Sequence, residues 1–228
     1  AEKCGETIEY ERITGEHIKL DFCRSCENCF DRGICPLDER DDMALVKQKL
    51  LEADIILFCS PVYIGSMSGL MKCALDRLSY WTHRYELAGK TAAVLVTTSN
   101  NHGLETVSSI EEAVRSFGVS LAYSGCVYRH GEEPSLSKEQ DMDRVLDEIC
   151  SRLMDCVAQP DKYIDQKQNL GFYMSNKMRR QSRALADLVG GEPANEVLVC
   201  EQRGILRFNT LSQYVKAMRT EKKAGLME

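Results

Sequence analysis

Two apolar runs, "DIILFCS" at 54–60 and "TAAVLVTT" at 91–98, with a further strand at "VSLAYSGCVY" (119–128), restrict the fold of this chain more than any other feature. Short runs of this kind read as strands covered on both faces, because a strand with one wet face alternates instead. Segments of helical spacing lie between them. "DDMALVKQKLLEA" offers aspartates as caps ahead of Met43, Val46 and Leu50. "SGLMKCALDRL" sets Met67, Leu70, Met71, Ala74, Leu75 and Leu78 on one stripe, and Leu104, Val107, Ile110, Val114 and Phe117 mark a further helix. Residues 137–158 give another, with Met142, Leu146, Ile149 and Leu153 inward. Strands alternating with helices of this length build a doubly wound parallel α/β sheet. "TIEYERI" (7–13) alternates and reads as one more strand. Ligands of such sheets sit beyond the carboxyl ends of the strands, which points to the loops "SPVYIGSMSG" and "TSNNHG".

Residues 160–228 are of a different kind and read as a helical extension beyond a domain at 1–159. "NLGFYMSNKMRRQSRALADLVGGEP" predicts a helix ended at Gly190-Gly191, and "TLSQYVKAMRTEKKAG" a last helix. Residues 1–159 carry 17 basic and 27 acidic side chains, residues 160–228 carry 12 and 8. An acidic body argues against nucleic acid as partner. The basic extension could pack on the acidic surface of its own or a neighbouring subunit. No apolar run approaches the roughly 20 residues of a membrane helix, and no basic-then-apolar leader is present, so a cytoplasmic location is expected.

"FCRSCENCFDRGICP" (22–36) sets Cys23, Cys26, Cys29 and Cys35 at C-x2-C-x2-C-x5-C-P spacing. Thiols at two-residue gaps on one loop can converge on an inorganic cluster, and a fourth completes a tetrathiolate shell. Zinc fits less well, since it usually takes two C-x2-C pairs held apart by a finger. Reduced thiols without metal remain the third reading. Of the other cysteines, Cys59, Cys73, Cys126, Cys150 and Cys156 lie in apolar segments and read as buried thiols rather than a disulfide framework.

The stretch from the cysteines through "SPVYIGSMSGLMKCALDR" resembles the flavodoxin-like NAD(P)H-dependent FMN reductase family, and within it the iron–sulfur flavoprotein branch. The likeness covers about residues 5–158. It implies a flavodoxin-like sheet, FMN, a [4Fe–4S] cluster on Cys23, Cys26, Cys29 and Cys35, and a homodimer or homotetramer. Ser60, Pro61, Val62, Tyr63, Ile64, Gly65 and Ser66 would face the flavin, with Tyr63 near the ring. Thr98, Ser99, Asn100, Asn101 and Gly103 would form a second flavin loop, in which His102 reads as solvated. In this family a phosphate loop follows a first strand that would precede Ala1, so the natural protein is expected to extend upstream, and the sheet to lack its middle strand.

Two function classes follow. The first is a flavin-dependent oxidoreductase that takes electrons from a ferredoxin-like carrier or NAD(P)H and delivers them to a small-molecule acceptor; its variant is a cluster-free NAD(P)H-dependent FMN or quinone reductase. The second is a flavin-free binding or assembly subunit on the same scaffold. Gly65-Ser66-Met67-Ser68-Gly69 is not a nucleophile elbow, because methionine holds its centre. The basic run Lys177 to Arg183 could receive an acidic electron carrier or a nicotinamide-nucleotide phosphate but reads first as a solvated helix face. Trp81, His83, Arg84 and Tyr85 read equally as a substrate pocket across a dimer interface or as an ordinary interface or surface loop.

Overall fold

A computed structural model describes residues 8–99, 101–128 and 136–223, with the side chains of 136–142, 222 and 223 left out. The apolar runs form β1 (Ile55–Tyr63), β3 (Thr91–Thr98) and β4 (Ser120–Tyr128), parallel and adjacent in that order. A two-residue strand, β2 (Ser66–Met67), folds back antiparallel on the end of β1, pairing Val62 with Met67 and Tyr63 with Ser66. Helices cover both faces, as predicted. On one lie α2 (Met43–Glu52), α3 (Gly69–Arg77) and α4 (Gly103–Ser116), packed on Ile56, Phe58, Val94, Val96 and Leu121. On the other, α5 (Leu136–Ala158) lays Ile149, Leu153 and Cys156 over Ala93 and Ala122. No helix among the described residues is long and apolar enough to cross a membrane.

Local chemistry sets the helix ends. Asp41 Oδ1 accepts from the Met43 amide at the start of α2, and the Ser68 side chain caps α3 by accepting from the Met71 amide. Asp165 and Gln168 form a reciprocal capping box at the start of α6 (Gln166–Val189). That helix ends at Gly190, whose φ of 68° is the left-handed conformation such a terminus requires. Two further helices follow, α7 (Asn195–Gln202) and α8 (Leu211–Lys223). The 195–202 helix is absent from the sequence reading, and its faint amphipathic pattern explains why.

Several expectations are corrected. Residues 8–13 form no strand. A strand needs a ladder for its amides and carbonyls, and no described strand lies beside this segment. Its alternation does not define a face either, since Ile8 is half-buried while Tyr10, two positions on, is exposed. The outer edge of β1 likewise has no described strand partner from 55 to 61. Leu57 and Cys59 on that strand are exposed rather than buried, because α5 covers β3 and β4 but not this part of β1. Leu104 and Leu146 also face outward, Leu104 as the first residue of its stripe.

Residues beyond 159 do not form a core of their own making. Phe172, Cys200, Ile205, Leu211, Tyr214 and Val215 close over Tyr85 and Ala88 from the segment between α3 and β3. Trp81, Arg84 and Tyr85 are therefore buried, not part of a surface loop.

Candidate functional site

The carboxyl ends of β1 and β3 present two touching loops. Tyr63 and Ser66 close a two-residue hairpin turn whose central residues, Ile64 and Gly65, both have positive φ, 49° and 72°. That turn matches strand twist, but it asks a β-branched residue to sit in the left-handed region, where its side chain is strained. Ile64 is fully exposed and Tyr63 largely so, so neither is held there by packing. In the facing loop His102 is left-handed as well, at φ 57°, and a Cβ on Gly65 would stand 3.3 Å from its ring. Strain of this sort gathers where a loop is shaped for a ligand.

The structure describes eleven of the twelve residues of the flavin expectation and separates them by burial. Ser60 and Thr98 are buried and spent internally: Ser60 Oγ donates to the Pro61 carbonyl and accepts from the Ser68 amide, and Thr98 Oγ1 donates to the Asn101 carbonyl. Pro61 and Val62 are half-buried. Tyr63, Ile64, Gly65, Ser66, Ser99 and Asn101 stand open at the loop surface. Asn100 lies outside the described residues. Gly103 is buried, and it begins α4 where that helix presses on β4.

A Cβ at Gly103 would meet Cys126 Sγ at 2.4 Å and Thr98 Cγ2 at 3.1 Å. Gly103→Ala is therefore expected to cost about 1–3 kcal/mol by overpacking, read by urea unfolding. Gly103→Ala with Cys126→Ala should recover most of the loss. If the single variant unfolds like the wild type, the close approach is not real.

The cysteine loop lies against α3 and the turn that follows it. Its chain is irregular, with Ser25 and Glu27 at positive φ and a short helix, α1 (Asn28–Asp31). The four thiols are unpaired; Cys29 and Cys35 are half-buried, Cys23 and Cys26 exposed. Burial first, then the neighbouring Cys35 and Cys23, raise the Cys29 thiol above its ordinary range, so those three share one neighbourhood. Cys26 turns aside to the Asn28 side chain and amide, which lower its pKa. Among the described residues no three His, Cys, Asp or Glu side chains converge closely enough to hold a metal ion. The donors suit a thiolate-bound cluster in kind, but a bound cluster requires the thiols to draw together and Cys26 to turn inward.

Both ends of this loop are tied to one buried cation. Arg77 Nη1 donates to the Asp21 carbonyl at 2.9 Å and to Asp41 Oδ2 at 2.5 Å, and Nη2 donates to Asp38 Oδ1 at 2.7 Å. Asp41 Oδ2 also accepts from the Asp21 amide at 2.8 Å, and Lys47 Nζ donates to Asp38 at 2.5 Å. Burial works against the Arg77 charge, but Asp41 and Asp38 outweigh it and raise its pKa. The clamp is invisible in the sequence reading because its partners lie 36 and 39 positions away. Only the fold brings Asp38 and Asp41 under α3.

Strand order and flanking helices define an α/β sheet protein, and the chain belongs to the NADPH-dependent FMN reductase family, whose model matches residues 1–131. It is 37% identical over 102 residues to an iron–sulfur flavoprotein of Methanocaldococcus jannaschii, covering 44% of this chain and 52% of that one. An Archaeoglobus fulgidus iron–sulfur flavoprotein is 29% identical over 113 residues, 49% of this chain and 50% of its own. An NAD(P)H dehydrogenase (quinone) of Geotalea daltonii is 31% identical over 94 residues, 41% of this chain and 38% of its own. The chain thus spans about half the length of the first two relatives.

Proposed function

We propose that this chain acts as an FMN-dependent oxidoreductase that also holds a [4Fe–4S] cluster on Cys23, Cys26, Cys29 and Cys35. The observation that carries the reading is the pinned loop of four unpaired thiols on a scaffold of the FMN reductase family. When bound, the flavin supplies two-electron and the cluster one-electron chemistry. In this reading Tyr63 and Ile64 would give apolar cover to a flat ring, and the backbone amides of the Ile64-Gly65 turn would serve its polar edge. The electron donor in this reading is a small ferredoxin-like carrier or NAD(P)H, and the acceptor a small molecule.

The absence of three converging ligands among the described residues favours a second reading, a cluster-free NAD(P)H-dependent FMN or quinone reductase. One experiment separates the two. Protein purified anaerobically is assayed for flavin, iron and sulfide on the same sample, beside Cys29→Ser. We expect flavin with iron and sulfide in the wild type, and most of the iron lost from Cys29→Ser. Flavin without iron would leave the second reading, and a colourless protein would leave a binding or assembly subunit. Tyr63→Ala and Gly65→Val are each expected to weaken FMN binding by about tenfold, since the valine meets both a positive φ and the His102 ring. Unchanged affinity in both would move the flavin elsewhere.

A further inference from the structure

A cavity of about 490 Å³ opens where the helical extension meets the other end of the α/β layer. It lies far from the loops at the strand ends. The first turn of α4, at His102 and Gly103, stands beside Gly65, whereas its last turn, Glu112 to Ser116, forms a wall of this cavity. At 1.5 Å per residue the two ends of that helix are on the order of 15–20 Å apart. A molecule in the cavity therefore cannot touch the reacting edge of a ring held at the strand-end loops.

The walls are mostly apolar, with Phe172, Met178, Val197 and Leu211 among them, and the volume falls in the range of small-molecule sites. Charges that line it are mainly matched. Lys167 pairs with Glu112 at 2.7 Å, Arg115 with Glu111 at 2.9 Å and Asp165 at 3.3 Å, and His83 Nδ1 with Glu196 Oε2 at 2.5 Å. Arg179 is different. It is 5% exposed, and its bonds run to neutral groups: Nη1 to Asn176 Oδ1 at 3.2 Å and Nη2 to the His83 carbonyl at 2.6 Å. Its Nε has no hydrogen-bond partner; Glu196 Oε1 stands 3.9 Å from it in a long ion pair, while Oε2 of the same carboxylate bonds His83. The Tyr85 ring lies under the guanidinium at 5.7 Å.

A buried charge whose hydrogen bonds run to neutral groups and whose one ion pair is long is incompletely compensated, and an anion relieves that deficit. We propose that this cavity is a binding site for a small organic anion with an apolar body, its carboxylate or equivalent head drawn to Arg179. Ser175, one turn before Arg179 on the same face of α6, adds a hydroxyl beside the head. The site uses none of the strand-end loop residues, although the His83 ring in its wall also meets Phe30 of the cysteine loop at 5.1 Å.

The test is calorimetric titration of the protein in excess FMN with benzoate, 1-naphthoate, octanoate and decanoate, each beside its neutral amide. At least one acid should saturate, with its amide weaker by about tenfold or more, the discrimination expected of a charge-assisted contact. Gly171→Leu supplies a variant that should fold, because a Cβ there meets nothing within 4 Å and the residue lines the cavity. It should keep the wild-type melting temperature and weaken the acid by about tenfold or more as its side chain fills the space. Arg179→Gln should bring acid and amide to within about twofold of each other. The proposal is overturned by no saturation with any acid at millimolar concentration, by equal affinity for acid and amide in the wild type, or by Gly171→Leu binding as the wild type does. Should Arg179→Gln not fold, the other two comparisons still decide.

Discussion

Arg77→Met is expected to destabilise the protein by about 3–5 kcal/mol in urea unfolding at pH 7, the range for removing one partner of a buried ion pair. The arginine side chain is wholly buried and that of Asp41 nearly so, at 0% and 2% exposure. A methionine of similar length would fill most of the volume but leave Asp41 as a buried, uncompensated carboxylate. The loss has a pH dependence that identifies its cause. Burial alone would raise the Asp41 pKa, but bonds from Arg77 and from the Asp21 and Met43 amides outweigh it and hold the pKa below the ordinary carboxylate value. A group depressed in the folded state contributes stability that is complete above its unfolded pKa, near 4, and disappears as the pH falls through the folded value. The gap between wild type and Arg77→Met should therefore narrow as the pH is lowered from 7 towards 3. Arg77→Lys should recover only part of it, since an ammonium cannot fork between Asp38 and Asp41. A loss under about 1 kcal/mol, or one unchanged by pH, would mean that the clamp contributes little. Because Asp21 and Asp38 bracket the cysteine loop, the same variant should also take up less iron, whereas Lys72→Met, which breaks an exposed pair with Asp76, should alter neither property.

How far the sequence reaches differs between parts of the molecule, for physical reasons. The strand at 91–98 is legible to the residue, because a strand buried on both faces must be apolar throughout and its neighbours are polar. The end of α6 is legible too, since Gly190 takes a backbone conformation that other residues resist. Both are local rules. The segment at 7–13 follows a local rule and fails, because a strand exists only through its partner. The basic run from Lys177 to Arg183 fails for a related reason. Lys177 is exposed, but Arg179 is buried and Arg180 donates to the Leu206 carbonyl, so the run is not simply a solvated face. Nothing in its charge pattern says which of its arginines another helix will cover. The same holds for the candidate site: the loops were legible from their place after apolar strands, whereas the division into buried supports such as Ser60 and Gly103 and open residues such as Tyr63 depends on packing between elements.

Phe172→Ala, at the junction between the extension and the α/β layer, is expected to cost about 3–5 kcal/mol, as deletion of a fully buried ring usually does. Its ring has no solvent exposure, lies 4.9 Å from Tyr85 and 6.1 Å from Tyr214, and fills a core to which Ala88 also belongs. For a chain of 228 residues that corresponds to a fall in melting temperature of roughly 6–20 °C. The form of the transition matters as much as its midpoint. Tyr85 and Ala88 sit between α3 and β3, and the Leu87 amide, between those two residues, donates to the Phe117 carbonyl at the end of α4. Arg203 adds bonds from the extension to the Arg84 and Tyr85 carbonyls and to Glu86. The helices beyond 159 thus share both apolar core and polar contacts with the layer they cover. Phe172→Ala should lower one cooperative transition, monitored alike by Trp81 fluorescence in the layer and by helical circular dichroism. Two separated transitions in the variant, with the fluorescence midpoint unmoved, would show instead that the helices unfold as an autonomous unit and that the layer stands without them.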